Sequence, residues 1–379
     1  MMLKRFLLIQ LFGLALVAQA RAGVYSEILL DWKIYLNPEG KYEIVYAPTE
    51  SNPYNWEING KDRYNAFELR RGLFGYRASF NDYISMDAAV LLEDSEKAGM
   101  GLRMERGLVE IKRPKNPYYD FKMGYLLTPV LEWDRKNLWP YEMFEFTPLQ
   151  FQGILPRSQA GAIAGFGYKT DEGEAALEVD YLTDPVKEAQ SSNRFDARGT
   201  AGASIGEFVI DGIFNYSFRG RRDREGFQEL TQAGLAGQIL RLKFGGEYFQ
   251  GNAWISAGDV YLLGNFPDGL EDFLLVNGRT YAEGEQIDFH GWSAMFSLEP
   301  VNSVFLVYRY DFFDPSRKFD DDQQDLNLAG IVYEATDSLW MGAVFELRDF
   351  AGRNLPDQDS EDELRPIQTF SLNLQARLP

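Results

Sequence analysis

Alternation of apolar and polar side chains with period two, sustained over about ten residues and repeated down the chain, most limits what this sequence can fold into. Phe370, Leu372, Leu374, Ala376 and Leu378 share one face of an extended segment, and Ser371, Asn373, Gln375 and Arg377 share the other. The same grammar sets Ile84, Met86, Ala88, Val90 and Leu92 against Ser85 and Asp87, and Tyr119, Phe121, Met123, Tyr125 and Leu127 against Asp120 and Lys122. It returns in Phe208, Ile210, Phe214, Tyr216 and Phe218 against Asp211, Asn215 and Arg219. Past the N-terminal segment no apolar run approaches the roughly 18 to 20 residues that a spanning helix needs. If such a chain lies in a membrane, its sheet must close on itself, because lipid offers no partner to an open edge.

The N-terminal segment reads as a signal peptide. Lys4 and Arg5 precede an apolar run from Phe6 to Ala18, too short to span as a helix, and Ala20-Arg21-Ala22 supplies an A-x-A cleavage site. The expected division is residues 1–22 as signal peptide and 23–379 as barrel, with cleavage after Ala20 as the neighbouring alternative. Losing residues 1–22 removes Lys4, Arg5 and Arg21 and no acid, so 38 basic residues become 35 against 57 acidic, a net −22. A charge of that sign argues against a nucleic-acid partner. The absence of cysteine excludes disulfides, thiolate metal sites, iron–sulfur clusters and cysteine nucleophiles.

Strands are expected near 41–47, 66–80, 83–92, 105–113, 118–127, 160–169, 174–183, 199–207, 208–219, 230–239, 240–250, 287–299, 303–313, 325–335, 339–350 and 366–378. Sixteen is an even number, as single-chain bacterial barrels require. The segment Ile28 to Leu36 also alternates, which leaves eighteen strands or an N-terminal periplasmic segment open. Short connections rich in breakers (Asn81-Asp82, Pro114 to Pro117, Asp171 to Gly173, Pro300 to Asn302, Thr336 to Ser338) alternate with long ones at 128–159, 184–198, 251–286, 314–324 and 351–365. With both termini periplasmic, that parity places short turns in the periplasm and long loops outside the cell. The fold class is therefore all-β: a transmembrane antiparallel up-and-down β-barrel of the bacterial outer membrane.

Two blocks carry a family resemblance. Phe67 to Val90, FELRRGLFGYRASFNDYISMDAAV, looks like the early hairpin of the phosphate-selective porin O and P family. Residues 120–139, DFKMGYLLTPVLEWDRKNLW, resemble that family's strand and following loop, with Gly124, Thr128 and Pro129 matching a Gly-aromatic-x-x-Thr-Pro run. The resemblance implies a sixteen-stranded homotrimeric porin whose third-loop region, here 128–159, folds inward to narrow the pore.

The polar faces nominate a lumen. Pore-lining candidates are Arg77, Asp87, Glu110, Lys112, Asp120, Lys122, Asp211, Arg219, Arg241, Lys243, Glu247, Arg309, Glu346, Arg348 and Arg377, joined by Glu178, Asp180 and Asp311. Each serves equally as a paired wall charge that holds the barrel's shape. The basic run Arg219 to Arg224 would meet lipopolysaccharide phosphates or attract anions, or is simply a solvated loop. Acidic loops at 314–325, 357–363 and 268–272 read as hydrated surface favouring cations at the mouth, and Asp320-Asp321-Asp322 lacks the glycine and terminal glutamate of an EF-hand. The chain's one histidine, His290, has no converging nucleophile and reads as a girdle or loop residue. The sequence thus points to a passive channel for small hydrophilic solutes or ions, with no cofactor, metal or chemical step. A non-conducting barrel used for adhesion or as a scaffold is the alternative.

Overall fold

The structure, a computed structural model, describes residues 21–35, 43–46, 56–59, 65–95, 99–113, 115–141, 143–144, 147–151, 154–155, 157–183, 192–221, 227–256, 259–261, 286–314, 317, 323–350 and 367–378. The acidic stretches at 357–363, 268–272 and 320–322, the basic residues Arg222 and Arg224, and residues 1–20 of the expected signal peptide lie outside them.

Sixteen antiparallel strands close into one barrel. In chain order they are β1 (Arg21–Tyr35), β2 (Asn65–Ser79), β3 (Ile84–Ser95), β4 (Gly99–Arg113), β5 (Tyr118–Leu127), β6 (Ser158–Lys169), β7 (Gly173–Thr183) and β8 (Ser192–Ile205). Then come β9 (Phe208–Arg221), β10 (Phe227–Ile239), β11 (Leu242–Ser256), β12 (Gln286–Val301), β13 (Val304–Asp314), β14 (Gln324–Thr336), β15 (Leu339–Phe350) and β16 (Ile367–Leu378). Each pairs with its neighbours in sequence, and β1 closes the ring against β16, with Ser26 opposite Leu378 and Tyr35 opposite Thr369.

The expected strand at 41–47 is not a stave of the barrel. Among the described residues Glu43–Tyr46 pairs with Trp56–Asn59 alone, as a hairpin within the β1–β2 connection. The wall place belongs to β1, which takes in the alternating segment from Ile28 through Tyr35, so the count is sixteen and not eighteen. The reason is reach: a tilted strand needs about 9–11 residues to cross the hydrocarbon, and four residues cannot. Two loops also shrink, because β8 begins at Ser192 and β11 runs to Ser256.

Arg21 lies opposite Ser79, so the start of β1, the end of β16 and the turns at 80–83, 114–117, 170–172, 206–207, 240–241, 302–303 and 337–338 gather at one rim, the turn rim. The strand ends on either side of residues 36–64, 128–157, 184–191, 257–285, 315–323 and 351–366 lie at the opposite rim, the loop rim. The strand ends on either side of the short stretches 96–98 and 222–226 also lie at the loop rim, so sorting by length is strong but not strict.

Burial runs opposite to that of a soluble domain. Phe214 is 55% and Leu177 57% exposed, whereas Asp180 and Arg309 are fully buried. Large apolar side chains point outward all around the ring, among them Val24, Phe74, Phe121, Phe166, Phe214, Trp292, Tyr308, Met341 and Leu372. Exposed apolar area that continuous is stable only against lipid, which identifies the outer surface as a membrane belt.

Candidate functional site

The connection between β5 and β6 turns into the barrel. Pro129 sets the first turn of a short helix, Pro129–Trp133, which continues as a π-turn, Asp134–Leu138. Val130, Leu131, Leu149, Ile154 and Leu155 pack on Ile213, Leu230, Phe249, Phe289 and Phe313 of the wall. Further along, Leu138, Trp139, Tyr141, Met143 and Phe144 pack on Met295, Val307, Leu328, Val332 and Val344. Glycines make room for this seat: a Cβ on Gly342 would strike the Phe144 ring, and one on Gly245 would come within 2.6 Å of Leu138. The Tyr141 and Ser297 hydroxyls bond at 2.5 Å, and Arg157 at the loop's far end donates to Glu105 at 2.9 and 2.6 Å.

The inner face of β9–β15 is therefore partly apolar, and strict alternation between lipid outside and water inside fails there. Ile213, Leu230, Phe249, Phe289, Met295, Val307, Phe313, Leu328 and Val344 stand on inward positions because they meet the loop, not water.

The opposite half of the wall, β1 to β8, carries charge. Arg77 donates to Asp87 at 2.7 and 3.2 Å, and Arg106 lies 3.4 Å from the same carboxylate. Lys112 pairs with Glu110 at 3.6 Å and Lys122 with Asp120 at 3.7 Å. Arg71 pairs with Glu27, which Arg377 also approaches at 3.4 Å while its guanidinium lies over Trp340. On β8, Arg194 bonds Asp196 at 2.8 Å and Arg198 reaches both Glu178 and Asp180. Facing this wall, Glu132 and Lys136 of the inner loop are exposed and within electrostatic reach of Lys122 and Glu174 respectively.

The remaining candidates fall as follows. Arg309 is buried, bonded to Asp311 at 2.8 Å with the Trp139 ring 4.9 Å away, and Arg348 pairs with Glu346. Arg219 is buried on β9, Asp211 is half-buried toward Gly202, and Lys243 is half-buried. Arg241 sits exposed at the turn rim on Asn302. His290 lies on the outer surface beside Phe312, its Nδ1 accepting from Arg317 at 3.2 Å.

Several inward charges escaped the sequence reading. Arg194, Asp196 and Arg198 alternate as cleanly as any strand, but they fall where a loop was expected. Glu105 and Arg106 both turn inward because β4 bulges: Arg106 lies opposite Ala89 and Met104 opposite Val90, which leaves Glu105 as the extra residue.

One carboxylate docks the loop. Asp134, fully buried, accepts from the Gln232 amide at 3.1 Å, and that amide also donates to Glu247 at 2.6 Å. Burial first, then the charge of Glu247, pushes the Asp134 carboxyl well above its usual 3.8, against weaker opposition from Gln232, Arg309 and Arg198. The docked loop thus holds a proton more tightly than the free loop. Docking is strongest below the usual carboxylate value and weakens as pH rises through the raised one. Asp134→Asn keeps the shape and the bond from Gln232. It is expected to flatten the pH dependence of protease access to the loop, and a slope equal to wild type would remove Asp134 from that role.

No protein-family model and no curated protein sequence matches the chain. Solved structures do. OmpT of Vibrio cholerae, also solved in a trimer form, superposes with a TM-score of 0.57 at 12% identity over 95% of this chain and 98% of that one. An anion-selective porin from Comamonas acidovorans gives 0.59 at 9% over 95% and 100%. The outer membrane channel DcaP of Acinetobacter baumannii gives 0.57 at 10% over 95% and 98%. At such identities the likeness establishes the fold, that of the sixteen-stranded barrels of the bacterial outer membrane.

Proposed function

We propose that this porin-fold barrel is a passive diffusion channel for small hydrophilic solutes or ions, working without a cofactor or a chemical step. The observation that carries the reading is the division of the lumen. The loop 128–157 seats its apolar side on β9–β15 and turns Glu132 and Lys136 toward the charged wall of β1–β8. Charges of both signs facing each other across an opening orient dipolar solutes and tune ion preference. On this reading residues 1–22 are a leader removed on export, the turn rim is periplasmic, and lipid and lipopolysaccharide surround a homotrimer. That assembly follows the resemblance to the O and P porins.

Purified protein in a planar bilayer is expected to give stepwise ohmic conductance, and a folded barrel that never conducts would overturn the proposal. Neutralising the opening's cations, Lys122→Gln with Lys136→Gln, should raise the cation-to-anion permeability ratio by about two- to fivefold, read from reversal potentials in a salt gradient. An unchanged ratio would place both lysines off the ion path.

A second reading rests on the same loop. Its apolar seat is extensive enough to plug the lumen, giving a non-conducting barrel that serves as an adhesin or scaffold. Liposome swelling in small sugars separates the two, since a plugged barrel leaves swelling unchanged.

A further inference from the structure

On the outer surface at the turn rim, between the ends of β4 and β5, lies a recess of about 460 Å³. Tyr83, Ile111, Tyr119 and Phe121 line it, and each is at least 40% exposed and on the lipid-facing side. Lys112 and Asp120, which pair with Glu110 and Lys122, also border it, and Arg113 and Lys115 complete the lining. Both cations are exposed, and among the described residues neither has a carboxylate partner; Arg113 meets only the Tyr119 face, 6.0 Å from the ring centroid. They differ in this from Lys112 and Lys122 on the inward faces of the same two strands, which pair with Glu110 and Asp120.

The arrangement has two chemical halves. The floor is apolar and aromatic and continues the membrane belt upward. Beside that floor stand Arg113 and Lys115, two positive charges with no carboxylate partner among the described residues, at the rim where Lys112 N donates to Tyr83 O at 2.8 Å. Aromatic residues favour the headgroup level of a bilayer, and cations beside them attract phosphate. A neutral solute has no use for the cations, and a free anion has none for the greasy floor. One class of molecule uses both: an acyl chain carrying a phosphate at its head.

We propose that this recess is a binding site for a glycerophospholipid of the leaflet at the turn rim, its phosphate held between Arg113 and Lys115 and its upper acyl chain laid across Tyr119 and Phe121. The assignment rests on the membrane placement of the barrel and not on conductance.

The test uses native mass spectrometry of the detergent-extracted full chain titrated with palmitoyl-oleoyl phosphatidylglycerol. One retained lipid per chain is expected. Arg113→Gln with Lys115→Gln should weaken retention by about thirtyfold, as removal of two interfacial cations predicts. Arg317→Gln, at the opposite rim, should leave retention unchanged. Equal retention by the double variant overturns the proposal. If that variant does not fold, the wild type still decides: palmitoyl-oleoyl glycerol, which lacks the phosphate, must bind far more weakly, and equal binding sinks the site. Conductance recorded on the same preparations keeps the two readings apart. A silent barrel that retains its lipid refutes the channel alone, and a conducting barrel that retains none refutes this site alone.

Discussion

Replacing Trp139 and Phe144 together by alanine will raise the single-channel conductance severalfold. Both rings are almost wholly buried, at 1% and 2% exposure, and both lie where the inner loop meets the wall. Truncating a buried Trp or Phe costs about 3–5 kcal/mol each, and Trp139 also gives up its face to the Arg309 guanidinium. With the rings gone, Leu138, Tyr141 and Met143 are the loop side chains left on this part of the wall, while Val130, Leu131, Leu149, Ile154 and Leu155 keep the neighbouring seat, so the loop is expected to lift at its middle and stay anchored beside it. The barrel itself should persist, because its ladders run strand to strand without the loop. Single-channel recordings in planar bilayers measure the effect. A step size equal to wild type would show that the loop keeps its place without these rings, or that it does not narrow the path.

Phe214→Arg should cost more in assembly than any change at the opening. Phe214 sits mid-strand on β9, opposite Gly199 and Ala233, and its ring is 55% exposed on the outer surface. Arginine on the lipid face costs about 2–4 kcal/mol near the bilayer midplane, and the phenyl ring's transfer is lost as well. Equilibrium unfolding by urea in phospholipid vesicles would register the loss. A variant that unfolds at the wild-type midpoint would mean that position 214 does not meet hydrocarbon.

How much of this was legible beforehand depends on what each segment packs against. β3, β5, β9 and β16 face lipid on one side and polar neighbours on the other, and there period two placed the strands well. β1 was harder, because its first residues, Arg21 and Ala22, fall inside the expected signal peptide, and within the competing alternation at 41–47 residues 43–46 belong to a side hairpin. Alternation put Arg309, Asp311, Glu346 and Arg348 on one face of their strands, but which of them pair, Arg309 with Asp311 and Glu346 with Arg348, came from the structure. The apolar seat did not. Ile213 and Leu230 stand on inward positions for the sake of Val130 and Leu131, a partnership set by a loop far away in the chain that no local pattern encodes. The bulge at Glu105 was equally silent, since one surplus residue shifts facing without changing composition.

The pairing of β1 with β16 has a bearing on how the molecule is made. The seam joins β1 to β16, so the ring stays open until β16 has been made and both raw edges are available. Every intermediate before that moment exposes two templates for pairing with another chain, and the closing step brings together the most distant segments in sequence. Closure therefore waits on Ile367–Leu378: a chain that stops before Ile367 has fifteen good strands and no partner for β1 at the seam.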